Sequence, residues 1–412
     1  MTDYPTIIFA SLLIFCYGLI SRVSERSPIS APMVFAGIGM LAGPLALDLF
    51  ELQLNATVVR LIAEITLVLI LFVDASTVNL RTLRTQQQIP IRLLGIGLPL
   101  TMALGFAAAV VLIDSKNLWL AAMVALILSP TDAALGQAVV TSERLPVRIR
   151  QAINVESGLN DGIALPPILM CLAALSGGQS HGSHPDSWIL FMVRQLTLGP
   201  IAGVMVGWLG GLLVDEASRR NWMQPTFQRL VAGSLAVLAY AAAETFHGNG
   251  FIAAYCAGLF LGTRTHAVRE RIQEFGEAEG QQMSLFVFLL FGLAMVPAMV
   301  KHWDVEVLCY AILSLTAVRM IPVVLCMRGT GLDAPGAWFI AWFGPRGIAS
   351  VLYALMAVSK IGVSGYERAF AVITLTVLLS IFLHGLSAVP LTVWYSRYLE
   401  GARLGRENHS AG

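Results

Sequence analysis

Asp161 follows Ser157 by four residues, so on a helix its carboxylate and the Ser157 hydroxyl share one face, while Glu156 and Asn160 share the neighbouring face about 100° away. A hard monovalent cation wants oxygen ligands, and a carboxylate, a hydroxyl and freed backbone carbonyls supply them. One stripe can therefore ligate while the other supports. Two further segments, Ser129-Pro130-Thr131-Asp132 and Gly344-Pro345-Arg346-Gly347, each set a proline beside a charge. Proline removes a helical donor and clashes with the preceding turn, and the glycines make non-helical dihedrals cheap, so both helices are expected to break there. A plain proline kink is the competing reading. Broken helices aim half-dipoles at one another, and Asp132 and Arg346 carry the signs that neutralise such ends. Glu156 needs a counter-charge; Arg346 is the best-placed permanent cation, with Arg319 the other candidate.

The elements that must position these residues are membrane spans. Hydrophobic residues make up 57% of the chain and charged residues 12%, and the mean hydropathy is +0.74; the bilayer is this chain's solvent. Polar breaks delimit about thirteen helices, near 5–21, 30–46, 56–77, 90–113, 118–140, 150–175, 188–214, 226–246, 249–263, 281–300, 305–327, 335–358 and 368–395. Charge in hydrocarbon costs several kcal/mol, so Asp74, Asp132, Glu156, Asp161, Arg319 and Arg346, with Thr131, Ser157 and Asn160, mark the functional region. At about 1.5 Å per residue, Asp161, Asp132 and Arg346 lie roughly 16, 20 and 17 Å into their spans, near a midplane about 15 Å deep. Asp74 sits closer to the cytoplasmic side. Scattered structural salt bridges would not need this convergence.

The predicted class is an all-α polytopic membrane protein with two inverted-topology repeats and broken, crossing helices at an ion site. Residues 1–400 form a single transporter domain, with repeat 1 near 5–175, a linking span at 188–214 and repeat 2 near 226–395; residues 401–412 form a short cytoplasmic tail. Arg22, Arg26, Arg81, Arg84, Arg144, Arg148, Arg150, Arg219, Arg220, Arg264, Arg269, Arg271, Arg328, Arg397, Arg403 and Arg406 fall on one side of the membrane, whereas Asp48, Glu51, Asp114 with Lys116, the His181–Asp186 loop, and Lys301 with Asp304 fall on the other. The positive-inside rule then puts the N-terminus outside and the C-terminus in the cytoplasm. Met1 to Pro5 has no positive n-region, so the first apolar run is expected to be a span, not a cleaved signal. A net charge of +1 argues against nucleic acid. The five cysteines lie in apolar stretches without metal-ligand spacing, and no nucleophile with a base appears at mid-depth, so neither an enzyme nor a cofactor is expected. His181, His184, His247, His266, His302 and His384 read as surface or packing histidines ahead of a pH sensor.

The chain resembles cation:proton antiporters of the NhaP type, the electroneutral branch that also holds the eukaryotic sodium/proton exchangers. Glu156-Ser157-Gly158-Leu159-Asn160-Asp161-Gly162 and Gly344-Pro345-Arg346-Gly347-Ile348-Ala349-Ser350 carry the resemblance, supported by Thr131-Asp132 and Leu71-Phe72-Val73-Asp74-Ala75-Ser76. It extends over essentially all the spans. It implies that Asp161 carries ion or proton, with Ser157, the Thr131 backbone and Asp74 completing a Na+ site. Asn160 and Asp132 would stabilise the helix crossing, and Glu156 would pair with Arg346. Many relatives read Thr-Asp-Pro where this chain has Pro130 before Thr131, and some have Glu in place of Asp74. The expected activity is exchange of Na+ (or Li+) for H+, electroneutral and 1:1, because only the carboxylate of the Asn160-Asp161 pair can hold the exchanged charge. A K+/H+ antiporter of the same mechanism and a cation channel are the alternatives. The expected setting is the cell inner membrane, as a homodimer, with Na+, H+ and lipid as partners.

Overall fold

The computed structural model describes residues 4–24, 27, 29–50, 52, 54, 57–77, 88–113, 116–132, 135–176, 185–261 and 266–410. Arg26, Glu51, Arg81, Arg84, Asp114, His181, His184 and Arg264, which bear on the sidedness and histidine readings, lie outside them. The described residues are almost entirely helical, as expected, and none of them is in a strand. Each of the expected apolar stretches carries helix. Eight helices are long and apolar enough to cross a membrane, and four shorter apolar ones join them: Ala31–Ala42, Leu118–Ile127, Gly250–Leu259 and Ile348–Ile361.

In chain order the elements that matter are α1 (Tyr4–Ser24), α2 (Ala31–Ala42), α3 (Thr57–Thr77), α4 (Gln88–Leu112), α5 (Leu118–Ile127), α6 (Gln137–Val140), α7 (Val147–Ser176), α8 (Pro185–Arg219), α9 (Pro225–Thr245) and α10 (Gly250–Leu259). They are followed by α11 (His266–Leu290), α12 (Val305–Leu315), α13 (Ala317–Cys326), α14 (Ala334–Trp342), α15 (Ile348–Ile361) and α16 (Glu367–Ser410). Thr57–Thr77 carries Arg60, Glu64 and Asp74, which is why the third stretch is less apolar than its neighbours. α11 starts well before the apolar run near 281–300, because its first turns, with Arg269, Glu270, Arg271 and Glu274, are charged yet helix-favouring. α7 stays helical through Pro166 and Pro167, and α8 through Pro200.

The helices pack as two groups. α3 and α8 to α11 contact one another, as do α4, α5, α7 and α12 to α16, and the groups meet where α3 lies against α7 and α15. Without a hydrophobic drive between helices in lipid, close backbone approach is what small residues provide. Gly199, Gly203 and Gly207 of α8 form such a stripe: a Cβ on any of them would run into the backbone of Asn249, Ala253 or Ala257. This firm group presents α3, and with it Asp74, to the group that holds the breaks.

Candidate functional site: two crossing helix breaks beside Asp161

Two short half-helices aim their C-terminal ends at the same place. α5 starts at Asn117, whose side chain accepts the Leu120 N–H at 3.2 Å, and its helix ends at Ile127. α14 starts at Asp333, which accepts the Gly336 N–H at 3.2 Å, and ends at Trp342. Beyond each end comes the proline-bearing segment read from the sequence, non-helical at Pro130 to Asp132 and at Phe343 to Gly347.

The two non-helical segments are tied to each other. The Asp132 N–H donates to the Pro345 carbonyl at 2.9 Å, and the Asp132 carboxylate accepts the Ile348 N–H, the first of α15, at 2.8 Å. In the other direction the Ser350 hydroxyl donates to the Ile127 carbonyl, in the last turn of α5, at 2.7 Å. Arg346 Nη1 donates to the Gly344 carbonyl at 3.1 Å and to the Pro130 carbonyl at 3.4 Å. A negative group thus meets a helix N-terminus and a positive one meets freed carbonyls, the arrangement that the two half-dipoles favour. Gly347 is required here, since a Cβ would overlap the Asp132 carboxylate.

α7 passes beside this crossing. The Ser157 hydroxyl donates to the Thr131 carbonyl at 2.8 Å, and Asn160 Nδ2 donates to the Thr131 hydroxyl at 2.7 Å. Asp161 is 5% exposed. Its Oδ1 is buried with no hydrogen-bond partner, so one oxygen of a carboxylate, the strongest acceptor in the region, is unsatisfied by protein. The Asp161 backbone carbonyl accepts the Tyr353 hydroxyl at 3.0 Å, and the Tyr255 ring lies directly on Gly162. Neither tyrosine is among the residues singled out from the sequence; an aromatic in an apolar span gives no sign of what it touches. Asp74 comes from α3. Two residues on, the Ser76 carbonyl is held by Arg269 at 2.8 Å and Gln273 at 3.0 Å, both from α11.

The pairing of Glu156 with Arg346 is corrected. Glu156 forms a two-pronged bridge to Arg319, at 2.6 and 2.8 Å, with both side chains 1% exposed. Arg319 lies in the first turn of α13 and its guanidinium sits beneath Gly344, whose Cβ it would meet. Arg346, fully buried, spends Nη1 on the two break carbonyls. Both arginines are permanent cations in apolar spans, and sequence position alone does not say which of them packs against Glu156.

The arrangement gathers the Thr131 carbonyl and hydroxyl, the Ser157 hydroxyl and the Asp161 carboxylate on one side, with Asp74 arriving from the other helix group. Carbonyl and hydroxyl oxygens keep a lone pair beyond the bonds they already make. Oxygen ligation of a small cation and protonation of the same carboxylate are therefore the chemistry available.

A helical membrane protein whose discontinuous helices cross beside a buried carboxylate has the architecture of a secondary transporter. The chain belongs to the sodium/hydrogen exchanger family: the model described as "Sodium/hydrogen exchanger, transmembrane" matches residues 10–394. It is 28% identical over 393 residues to a K(+)/H(+) antiporter NhaP of Alkalimonas amylolytica, covering 94% of this chain and 66% of that one. It is 24% identical over 319 residues to a Na(+)/H(+) antiporter of Schizosaccharomyces pombe, covering 70% of this chain and 67% of the relative. Its fold is similar to that of the sodium proton antiporter MjNhaP1 of Methanocaldococcus jannaschii, with a TM-score of 0.77 at 17% identity, covering 95% of this chain and 99% of that one. The chain spans about two thirds of the length of the K(+)/H(+) antiporter relatives, 65–66%.

Proposed function

We propose that the chain is a secondary active antiporter that exchanges Na+ for H+ by alternating access at Asp161, one ion for one proton. The observation that carries this reading is the buried Asp161 Oδ1 without a protein partner, one helical turn after Ser157, whose hydroxyl holds the Thr131 carbonyl. A carboxylate so placed is neutralised equally well by a proton or by a cation, and it has to be neutralised by one of them to stay buried. Asp161, Ser157, Thr131 and Asp74 bind the ion; Asn160, Asp132, Glu156, Arg346 and Arg319 support the site. The inverted repeats, the homodimer, the inner-membrane location and the outside N-terminus belong to the same reading.

K+ as the exchanged ion is the second reading, favoured by the K(+)/H(+) antiporter name of the Alkalimonas relative. Ion preference turns on ligand number and field strength, not on which oxygens are present. The test is a pH dye in proteoliposomes holding a proton gradient, with Li+, Na+ and K+ added in turn. Dequenching by Na+ at lower concentration than by K+ supports the first reading, and the reverse order supports the second. No dequenching by any of the three overturns both.

A further inference from the structure

His384 has no place in the exchange reading, yet it is buried, 1% exposed, in the middle of α16. Its ring joins the two ends of the second break. On one side Nε2 lies 3.0 Å from the carbonyl of Trp342, the last residue of α14. On the other, the Arg346 N–H donates to the Ser380 hydroxyl at 2.6 Å, and His384 Nδ1 lies 3.1 Å from both that hydroxyl and the Ser380 backbone carbonyl. The Trp342 ring stacks on the imidazole at 4.9 Å between centroids, 29° from parallel, and its Nε1 donates to Ser387 at 2.9 Å.

The Trp342 contact fixes one proton: a carbonyl can only accept, so Nε2 carries a hydrogen. The Ser380 oxygen already accepts from Arg346, so its own hydrogen is free to go to Nδ1, which a neutral ring offers as an acceptor. The result is an unbroken chain, Arg346 N–H to Ser380 to His384 to the Trp342 carbonyl, with every donor used once. A doubly protonated ring would instead donate from Nδ1 to the Ser380 carbonyl and would add a third buried cation beside Arg346 and Arg319, a cost that favours the neutral form.

We infer that His384 is a positioning residue, a neutral imidazole that pins the ends of the Trp342–Arg346 break to α16 and thereby sets the crossing on which the Thr131 carbonyl depends. The dependence runs through the Pro345 carbonyl, which holds the Asp132 N–H next to Thr131. The inference deepens the exchange reading and rests on it for its transport arm. Geometry also names the conservative replacement: a glutamine places its terminal amide nitrogen where Nε2 stands and its oxygen toward Ser380, and it cannot titrate.

The experiment compares wild type with His384→Gln, His384→Phe and Ser380→Ala, reading the cation KM and Vmax in proteoliposomes and hydrogen–deuterium exchange of the 342–348 peptide in detergent. His384→Phe, which keeps the stacking but loses both bonds, is expected to raise KM about tenfold with Vmax changed less than about twofold, and to speed exchange in that peptide. His384→Gln is expected to match wild type in all three readings and across pH. Ser380→Ala is expected to speed exchange at Arg346 and raise KM by a few-fold, roughly one lost hydrogen bond. Wild-type behaviour of His384→Phe overturns the pin, as does a His384→Gln variant as impaired as His384→Phe, which would make the imidazole itself the working group. If His384→Phe does not fold, unchanged exchange at Arg346 in Ser380→Ala is the overturning result. A wild type that moves neither Na+ nor K+ against protons sinks the antiport reading alone, and the hydrogen–deuterium data still decide on the pin.

Discussion

At the break after Ile127, the freed backbone turns toward α7: the Thr131 carbonyl meets Ser157 and the Thr131 hydroxyl meets Asn160. At the break after Trp342, the freed groups are taken up by other structural partners. The Trp342 carbonyl goes to His384, the Arg346 N–H to Ser380 and the Pro345 carbonyl to Asp132. Both breaks are built from a proline, an adjacent charge and an Asx-capped half-helix, so the difference lies in their neighbours. The first looks toward a carboxylate with an unsatisfied oxygen, and the second toward the polar residues of α16. One break is proposed to be the half that handles the ion, and the other the half that holds it still.

The largest effect that would break this comparison is at Asp161. Asp161→Asn is expected to abolish cation-driven proton flux while leaving the melting temperature in detergent near wild type, because the amide fills the same space without an exchangeable charge. Flux above the empty-liposome background would mean that the exchanged charge is held elsewhere, with Asp74 or Asp132 the first to try. By contrast, Asp161→Glu keeps the charge and is expected to retain part of the activity.

Next comes the buried pair beneath the second break. Removing one partner of a buried ion pair leaves an uncompensated charge and typically costs about 3–5 kcal/mol. Glu156→Gln and Arg319→Met are each expected to lower stability on that scale, while the double variant costs less than the sum. Additive losses in a double-mutant cycle on detergent-solubilised protein would refute the pairing. The cycle of Glu156 with Arg346 should show the weaker coupling of the two.

That contrast also shows what a sequence can convey about such a molecule. Hydropathy located the helical stretches, and proline next to charge located both breaks, since these signals lie along the chain itself. Spacing four apart placed Ser157 and Asp161 on one face of α7. Glu156 pairs with Arg319 and not Arg346 because the first turn of α13 packs against the second break, a contact between segments far apart in the chain that spacing cannot convey. The long charged start of α11 escaped because hydropathy registers hydrocarbon, not helix. His384 was visible only as a histidine in an apolar helix four residues after Ser380, a spacing that many packed histidines share.

A smaller change tests the ion-handling half. Ser157→Ala removes the hydroxyl that holds the Thr131 carbonyl at 2.8 Å, a single buried hydrogen bond of about 1 kcal/mol. The expectation is a cation KM raised by roughly fivefold with Vmax nearly kept, since about 1.4 kcal/mol corresponds to tenfold. An unchanged KM in proteoliposomes would remove Ser157 from the proposed ligand set.

The smallest expected effect is none at all, and it bears on the charge that crosses the membrane. If Asp161 alternates between one cation and one proton, the loaded site has the same net charge in both forms, and transport neither makes nor feels a membrane potential. Asn160 supports this, because it stands beside Asp161 as an amide whose nitrogen is committed to the Thr131 hydroxyl at 2.7 Å, leaving no second titratable group on that turn. Asp74, in the proposed ion site, and Asp132, buried at 8% exposure, are the carboxylates that could spoil the balance. The Asp132 carboxylate, however, accepts the Ile348 N–H at the start of α15, where a helix N-terminus favours the ionised form and the same bond would be weakened by protonation. Asp132 is therefore expected to stay charged through the cycle. The measurement is cation-driven proton flux in proteoliposomes with the potential set at zero or at a large negative value by a thiocyanate gradient. Equal rates and equal end-points at both settings are the expected outcome. A rate that follows the potential would mean that more than one proton moves per ion, and Asp132→Asn, which leaves an acceptor for Ile348 but no second proton site, would then be the variant expected to restore potential-independent exchange.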